Sequence, residues 1–256
     1  DPIFLGLLPT RGCNMACRYC DFLSGKVQVM NFDMVRWSVD GYLNLLHHHQ
    51  KCDGAIHFFG GEPFHAPLPV QFAVEYARIR ANDMGIYLHF ETTTNGNYDE
   101  KLARWISSNL DTVVLSFDGM ADQQNLHRPL RNGKPSFERV ATSALIFAQG
   151  DCELVIRVCV SNRNVDHLPE IANWFAHTFH PSTICFEPLS ESENSLRNNL
   201  CSPNPLTYAQ KFYEATRILE KVGIPTVLST ADLSTNQVTS CPVGKDTLIV
   251  SPDGTI

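Results

Sequence analysis

Short apolar runs rich in β-branched and aromatic residues alternate along the chain with longer segments in which apolar residues recur at helical spacing. This alternation is typical of βα units that build a parallel sheet. The short runs predict strands at 3–8, 55–59, 86–92, 112–117, 154–160 and 183–186. The longer segments predict helices at 32–48, 69–83, 98–108, 137–148, 166–177 and 205–222.

Six strand–helix units are fewer than the eight that close a standard barrel. We therefore expect an α/β fold, a partial (β/α)6 TIM-like barrel with one side left open to a large substrate or a second domain. Asn31, Pro69 and Asp166 are residues that commonly open helices, and they predict the starts of the first, second and fifth helix.

The rhythm of strands and helices stops at Ile224, and the last segment reads TLIVSPDGTI. Pro252–Gly254 predicts a hairpin turn, because Pro presets the first turn torsion and Gly accepts a positive φ. We expect a core domain at 1–223 and the start of a second, β-rich module at 224–256. Because the numbering begins without Met and the return strand is cut short, we expect the sequence to be a piece of a longer protein.

Composition excludes several classes of protein. The chain has 256 residues, of which 43% are hydrophobic and 18% charged, as in ordinary globular proteins. Twenty basic against 27 acidic side chains give a net charge of −7, whereas nucleic-acid binders carry a basic excess or stripe. No apolar run approaches the roughly 18 residues of a membrane span. We expect neither a nucleic-acid nor a membrane partner.

The nine cysteines are distributed unevenly. Cys13, Cys17 and Cys20 lie within one short segment, and the other six are scattered singly. A disulfide scaffold would spread its cysteines through a small, loop-rich chain. A cytoplasmic protein with a metal site is the better interpretation, and we expect most of the scattered cysteines to pack in the core.

The spacing of the three clustered thiols narrows the kind of metal site. A structural zinc site usually takes four ligands in two separated pairs, and a ferredoxin cluster takes four cysteines. Three thiolates on a four-iron cluster would leave one iron open to a substrate or cofactor. A buried or zinc-bound trio is the alternative.

The Cys13, Cys17, Cys20 spacing, with Tyr19 before the last cysteine, resembles the signature of radical S-adenosylmethionine (SAM) enzymes. Further motifs follow in the order of that family at the ends of predicted strands: FFGGEPF with Gly60, Gly61 and Glu62, TTTNGN with Thr94 and Asn95, LSFDG with Ser116 and Asp118, HRPLRNGKPSFERV with Arg131, and VCVSNRNVDHL with Arg157 before it and Ser161 and Asn162 inside it. The resemblance covers nearly the whole chain. It implies a [4Fe-4S] cluster on the three cysteines and SAM at the open iron, with the other named residues around the cofactor.

The residues themselves fit this implication. Gly60 and Gly61 let the backbone approach a ligand closely, and Glu62 supplies a carboxylate for the SAM ammonium group. The alternative is a plain strand-to-helix turn with a surface glutamate. Ser116, with Arg131 or Arg157, is a candidate for the SAM carboxylate, because arginine pairs well with carboxylates. Either arginine also fits a surface ion pair.

The resemblance implies a reaction class and partners. SAM would be cleaved reductively to a 5′-deoxyadenosyl radical that abstracts hydrogen from a peptide or protein substrate. An electron donor such as flavodoxin or ferredoxin would reduce the cluster. Glu187 ends the sixth predicted strand and is the best candidate for a catalytic acid or base.

The closing segment with Cys241 and Gly254 looks like the opening of the SPASM extension, a cysteine-rich module found in radical SAM enzymes that modify peptides. It implies one or more auxiliary [4Fe-4S] clusters, whose further ligands would lie beyond this sequence. An ordinary buried cysteine before a hairpin is the alternative.

Three functions remain open. The first is a SPASM-type radical SAM enzyme that installs a crosslink or other modification in a ribosomally synthesised peptide. An anaerobic sulfatase-maturating enzyme that forms formylglycine is the alternative within the same chemistry, and epimerisation or small-molecule chemistry also stays open. A non-catalytic iron–sulfur electron carrier or zinc-binding module is the alternative of another class.

Overall fold

The computed structural model describes residues 4–22, 27–228 and 247–255. The described strands are β1 (Phe4–Leu7), β2 (Asp53–Phe58), β3 (Tyr87–Thr94), β4 (Thr112–Ser116), β5 (Glu153–Val160), β6 (Thr183–Pro188), β7 (Thr226–Val227) and β8 (Thr247–Val250). The α-helices are α1 (Phe32–His48), α2 (Pro67–Asp83), α3 (Glu100–Asn109), α4 (Ala121–His127), α5 (Phe137–Ala148), α6 (Leu168–Phe179), α7 (Glu193–Arg197) and α8 (Pro205–Glu220). Short 3-10 helices lie at Pro63–His65 and Val165–His167.

All eight strands join one sheet in the order β7-β6-β5-β4-β3-β2-β1-β8, and every pair of neighbours is parallel. Each of the first six strands is followed by at least one helix, which carries the crossover to the next parallel strand. The prediction of an α/β fold on a parallel sheet is therefore confirmed.

The two faces of the sheet differ in burial. In β3, Leu88, Phe90 and Thr92 are buried, whereas the alternate positions His89, Glu91 and Thr93 are only half-buried. The buried face packs against the helices, and the tyrosine hydroxyl of Tyr42 on α1 accepts a hydrogen bond from Ala55 N on β2. In β3 the half-buried face is polar, and Thr93 on this face lines a cavity at the end of the sheet where ligands bind in this class of fold.

The predicted helix starts are partly correct. Asn31 caps α1 and accepts a hydrogen bond from Met34 N, but α2 begins at Pro67 rather than Pro69, and α6 begins at Leu168 because a 3-10 turn precedes it. The helices α4 and α7 were not predicted, since seven and five residues are too few to show a helical period.

The closing segment joins the main sheet. β7 pairs with β6 at one edge and β8 pairs with β1 at the other, with Phe4 opposite Thr247. The predicted turn is present, since Ser251 N donates to Thr255 O and Gly254 N donates to Ser251 O. The boundary between 1–223 and 224–256 stays a prediction, and Cys241 lies outside the described residues.

Candidate functional site

The three clustered cysteines lie on the loop that follows β1. The loop is tied to the segment after α4, where Ala16 N donates to Pro129 O and Arg18 N donates to His127 O. Buried Met15 forms an isolated bridge with Leu130 in the same segment. A loop of this length would otherwise be mobile, so these backbone contacts hold the thiols in place.

The sulfur of Cys13 receives two hydrogen bonds. Met15 N donates to it at 3.4 Å and Asn95 Nδ2 at 3.6 Å. The Asn95 amide is itself oriented by Asn14, whose Oδ1 accepts from it at 2.9 Å. Donors around a ligating sulfur are one of the features that set the potential of an iron–sulfur cluster.

Side chains near α7 bind the carbonyl groups between the last two cysteines. Asn194 Nδ2 donates to Cys17 O and Cys20 O, both at 3.2 Å. Asn198 Nδ2 donates to Arg18 O at 3.1 Å, and Ser192 Oγ donates to Tyr19 O at 3.2 Å. Every carbonyl of residues 17–20 is thus bound from one short segment, which we call the α7 clamp (Ser192, Asn194 and Asn198).

The three thiols are suited to a bound cluster. All are free, and burial raises the pKa of Cys13 and raises the pKa of Cys17 to about 12. Neutral thiols in such a site become thiolates when a metal replaces their protons. Within residues 4–22, 27–228 and 247–255, no three His, Cys, Asp or Glu side chains converge on a single-ion site. A four-iron cluster takes each thiolate on a different iron, so its ligands need not converge in that way.

The thiols open into a cavity of about 410 Å³, which we call the first cavity. It lies at the carboxyl ends of the parallel strands, where ligands bind in folds of this kind. Its lining contains eleven of the predicted site residues, namely Cys13, Cys17, Tyr19, Cys20, Gly60, Gly61, Glu62, Thr94, Asn95, Ser116 and Arg157. Residues far apart in the sequence therefore meet at one site.

The turn after β2 approaches the cysteine loop too closely for side chains. Gly60 has φ +131°, which disfavours any other residue. A Cβ at Gly61 would overlap the carbonyl oxygen of Gly12. Glu62 N donates to that same carbonyl at 2.8 Å. The two glycines thus allow this turn to lie against the residue that precedes Cys13.

Glu62 is buried beneath the first cavity, with 1% of its surface exposed. Its Oε1 accepts from Thr94 Oγ1 at 2.7 Å and from Phe64 N at 3.1 Å, and its Oε2 accepts from Asn95 N at 2.7 Å. Burial raises its pKa to about 7, although the hydrogen bonds oppose this shift. The alternative of a surface glutamate on a plain turn is therefore wrong.

Asp118 lies behind the cavity wall and is fully buried. Its carboxylate accepts from Arg128 Nε at 2.8 Å, from Tyr19 Oη at 2.9 Å and from Cys159 N at 2.8 Å. Burial alone would raise the pKa of Asp118, but the Arg128 guanidinium and the His127 ring outweigh it and hold the pKa well below its usual range. Asp118 thus orients two residues that line the cavity, Tyr19 and Arg128, and does not line it itself.

A second cavity of about 360 Å³ adjoins the first. The two share Tyr19, Ser116, Arg128 and Arg157 in their linings. Glu187, Cys159 and residues 188–190 complete the second cavity. Glu187 is 8% exposed, and its Oε1 accepts from the thiol of Cys185 at 2.9 Å.

Besides Asp118, three described residues of the predicted site are absent from the linings of both cavities. Arg131 is exposed on the other side of the cysteine loop. Ser161 is buried, and its hydroxyl is within 2.9 Å of His127 Nε2. Asn162 accepts from Cys201 N through Oδ1 and ties the end of β5 to a later loop. Ser161 and Asn162 thus form hydrogen bonds away from the cavities, and Arg131 lies outside the site.

Several cavity residues were missed by sequence reasoning. Arg128 lies in the same HRPLR stretch as Arg131, and its guanidinium sits 5.2 Å from the centre of the Tyr19 ring. His57 and Thr93 line the first cavity and face each other at 2.9 Å. Strand alternation could have found both, since each is an inward position near the carboxyl end of its strand. Of the scattered cysteines, Cys152 and Cys185 are buried as expected, but Cys52 is exposed.

The family model described as the radical SAM superfamily matches residues 7–175, which is more than half of the chain. The chain belongs to the radical SAM superfamily. The predicted superfamily is thereby confirmed. Members of this superfamily use a [4Fe-4S] cluster and SAM, and the three thiols and the first cavity beside them fit those groups.

The proteins to which the chain is similar include sulfatase-maturating enzymes and structures solved with bound SAM or peptide. A cysteine-type anaerobic sulfatase-maturating enzyme of Clostridium perfringens is 27% identical over 207 residues, covering 78% of this chain and 56% of the relative. A solved structure of native anSMEcpe with bound AdoMet and the Kp18Cys peptide has a TM-score of 0.69 at 26% identity, covering 85% of this chain and 60% of that one. Streptococcus suis SuiB bound to S-adenosylmethionine has a TM-score of 0.68 at 14% identity, covering 99% and 59%.

The structural likenesses confirm the predicted partial barrel. The chain spans about half of the length of the curated relative it matches. No helix among the described residues is both long and apolar enough to cross a membrane.

Proposed function

We propose that this chain carries the cofactor-binding core of an enzyme that abstracts hydrogen from a peptide or protein substrate. The observation that supports it is the single cavity that combines three free thiols, the Gly60–Glu62 turn and the Ser116–Arg157 corner. In this proposal Cys13, Cys17 and Cys20 hold the [4Fe-4S] cluster, and the first cavity binds SAM.

The charges around the first cavity suit the two ends of the amino acid part of SAM. Glu62 Oε2 accepts one hydrogen bond, from Asn95 N, and therefore keeps a lone pair for an ammonium group. Arg157 supplies a positive charge beside Ser116 for the carboxylate. Burial and the Arg157 charge lower the pKa of the neighbouring His57 to about 4, so that ring is neutral at pH 7 and Arg157 carries the charge there.

When bound, the reduced cluster and SAM supply a 5′-deoxyadenosyl radical, as is usual for the superfamily. The protein's own task is to orient SAM and to place one substrate hydrogen nearby. The second cavity shares four lining residues with the first and is the place where we expect the substrate side chain. Glu187 at its wall is in position to hold or accept a proton from the substrate.

Two substrate classes are proposed. The first is a ribosomally synthesised precursor peptide, in which a crosslink or similar modification is installed. The fold likeness to SuiB, which has also been solved with a precursor peptide bound, agrees with it. The second is the active-site segment of a sulfatase, oxidised to formylglycine. The 27% identity to a sulfatase-maturating enzyme and the likeness to peptide-bound anSMEcpe favour this second class.

The first test is SAM cleavage by the anaerobically reconstituted full-length protein. We expect 5′-deoxyadenosine to form under a chemical reductant, and Cys17→Ala to abolish both the product and the cluster absorbance. Cys52→Ala is the matched control, since Cys52 is exposed and lies outside the cavities, and it should leave both unchanged. Iron or zinc binding without SAM cleavage would favour the electron carrier or zinc module instead.

The second test assigns the substrate. A candidate precursor peptide and a cysteine-containing sulfatase peptide are each supplied with deuterium at the target carbon. Transfer of deuterium into 5′-deoxyadenosine identifies the substrate class, and an aldehyde on the sulfatase peptide identifies formylglycine formation. Glu187→Gln should reduce product formation while SAM binding persists. Loss of both in equal measure would contradict a role of Glu187 at the substrate.

A further inference from the structure

A third cavity, of about 550 Å³, lies on the outer side of the cysteine loop. Cys17 and Cys20 line both this cavity and the first one. The two thiols therefore form the partition between the cofactor side and the outside of the molecule. We call the outer side the cysteine-loop face and define it by Arg18, Asp21, Arg131, Asn194 and Arg197.

The cysteine-loop face is locally basic. Three guanidinium groups and one carboxylate, that of Asp21, line it, whereas the whole chain has a net charge of −7. Arg18 and Arg131 make no ion pair among the ion pairs of residues 4–22, 27–228 and 247–255. Arg197 pairs only with exposed Glu193 at 2.8 Å. Exposed pairs of this kind contribute little, so the charge of Arg197 stays available to a partner.

Side chains on the cysteine-loop face are hydrogen-bonded directly to the residues that carry the thiols. Asn194 is in the lining of the third cavity, and its amide is bonded to the carbonyl groups of both Cys17 and Cys20. Asn198, in the same lining, is bonded to the carbonyl of Arg18. A partner seated on this face would thus touch side chains that are hydrogen-bonded directly to the thiol-bearing residues.

We infer that the cysteine-loop face docks a small acidic one-electron carrier protein. This inference rests on the proposed function, because only a chain that uses a reducible cluster needs such a carrier. The carrier loses one electron and the cluster gains it, passing from the 2+ to the 1+ state, with no atom transferred. Complementary charge speeds the encounter of such partners, and electron-transfer complexes need only small, weak interfaces.

The direct test is binding. An acidic flavodoxin carrying a fluorescent label is titrated with the reconstituted full-length protein at low and at physiological salt. We expect Arg131→Glu to weaken binding about tenfold at low salt, with the difference shrinking as salt rises. Lys101→Glu is the matched control, since it makes the same charge change on exposed α3, away from the face, and should bind like the wild type.

A milder pair of variants guards against misfolding. Arg197 and Arg104 each pair with a glutamate four residues earlier on an exposed helix. Arg197→Ala should weaken the binding of flavodoxin, and Arg104→Ala should not. Equal binding by Arg131→Glu, Arg197→Ala and the wild type would overturn the inference.

The second readout separates docking from catalysis. SAM cleavage is measured with flavodoxin and, in parallel, with photoreduced deazaflavin, a small reductant that needs no docking site. We expect Arg131→Glu to lower only the flavodoxin-driven rate. An equal loss under both reductants would overturn the inference, since it would point to damage at the cofactor. If the wild type cleaves no SAM under deazaflavin, the proposed function fails, while the titration still decides whether the face binds the carrier.

Discussion

The Nε atom of Arg128 donates to a carboxylate oxygen of Asp118 at 2.8 Å, which joins an arginine that lines both cavities to a fully buried carboxylate behind their wall. Arg128 in turn lies over the ring of Tyr19, a residue of the cysteine loop that stands between Cys17 and Cys20 in the sequence. The pair therefore links the end of β4 to the cysteine loop.

Asp118→Asn should destabilise the protein by about 3 kcal/mol, because it leaves the Arg128 charge buried without its counter-ion. Urea unfolding of the reconstituted protein measures this change. Because the pKa of Asp118 is held below its usual range, the stabilisation is present above pH about 4 and is lost as the pH falls through the lower, folded value. Asp122→Asn, at an exposed position of α4, should change the free energy of unfolding by less than about 0.5 kcal/mol. Similar losses in the two variants would contradict the buried pair.

Gly61→Ala should abolish SAM binding and cost about 1–3 kcal/mol of stability, since its Cβ would overlap the carbonyl of Gly12 and push the turn away from the cysteine loop. Calorimetric titration with SAM and a thermal melt measure the two effects. Gly41→Ala is the matched control: a Cβ there meets nothing within 4 Å in α1, so it should stabilise the protein by about 0.5–1 kcal/mol. Normal SAM affinity in Gly61→Ala would show that the turn does not approach the ligand.

Glu62 should make stability depend on pH. Its folded pKa is raised to about 7, above the value of about 4.3 in an unfolded chain. The contribution is therefore fully present below pH about 4.3 and is lost as the pH rises through about 7, a change of up to about 4 kcal/mol. The difference in free energy of unfolding between the wild type and Glu62→Gln isolates this contribution.

Bound SAM should flatten this pH dependence, because an ammonium group beside Glu62 favours the ionised carboxylate. The same unfolding series with SAM present provides the comparison. A difference between wild type and Glu62→Gln that is independent of pH in the absence of SAM would show that the carboxyl is not shifted.

Asn194→Ala should loosen the cluster, since it removes the donors to Cys17 O and Cys20 O. We expect a cost of about 1–3 kcal/mol and faster loss of iron to a chelator, followed by the decay of visible absorbance. Asn173→Ala, at an exposed site on α6, should lose iron at the wild-type rate. Identical rates in all three proteins would show that the α7 clamp does not hold the cysteine loop.

Most of the sheet could be predicted because buried parallel strands leave a strong apolar signal. The ends of α1 and α5 were predicted to the residue. In α1 the Asn31 cap agrees with the apolar periodicity, whereas in α5 the periodicity alone was enough, since no side chain caps its start. β8 was recognised as a strand, but its partner was not, because a pattern of four residues carries no information about which edge it joins. The same limit applies to α7, whose role depends on hydrogen bonds to a distant loop.

Site residues could be predicted where the local backbone accepts only one type of residue. Gly60 and Gly61 are such residues, since no side chain fits there. The sequence around Arg128 and Arg131 does not distinguish the two side chains. Only the fold shows that Arg128 faces the first cavity while Arg131 faces outward. Asp118 was recognised as part of a motif. Its role as a buried hydrogen-bond acceptor could not be predicted, because its donors come from three separate segments.

The placement of β8 beside β1 has a consequence for biosynthesis. Thr247 and Ile249 form part of the cavity wall, and their strand β8 pairs with β1, which is synthesised much earlier. While the ribosome is still adding the middle of the chain, the thiols are already synthesised but their chamber lacks one side. A cluster inserted during synthesis would therefore enter an incomplete cavity. We expect iron to be inserted after residue 250 has been synthesised.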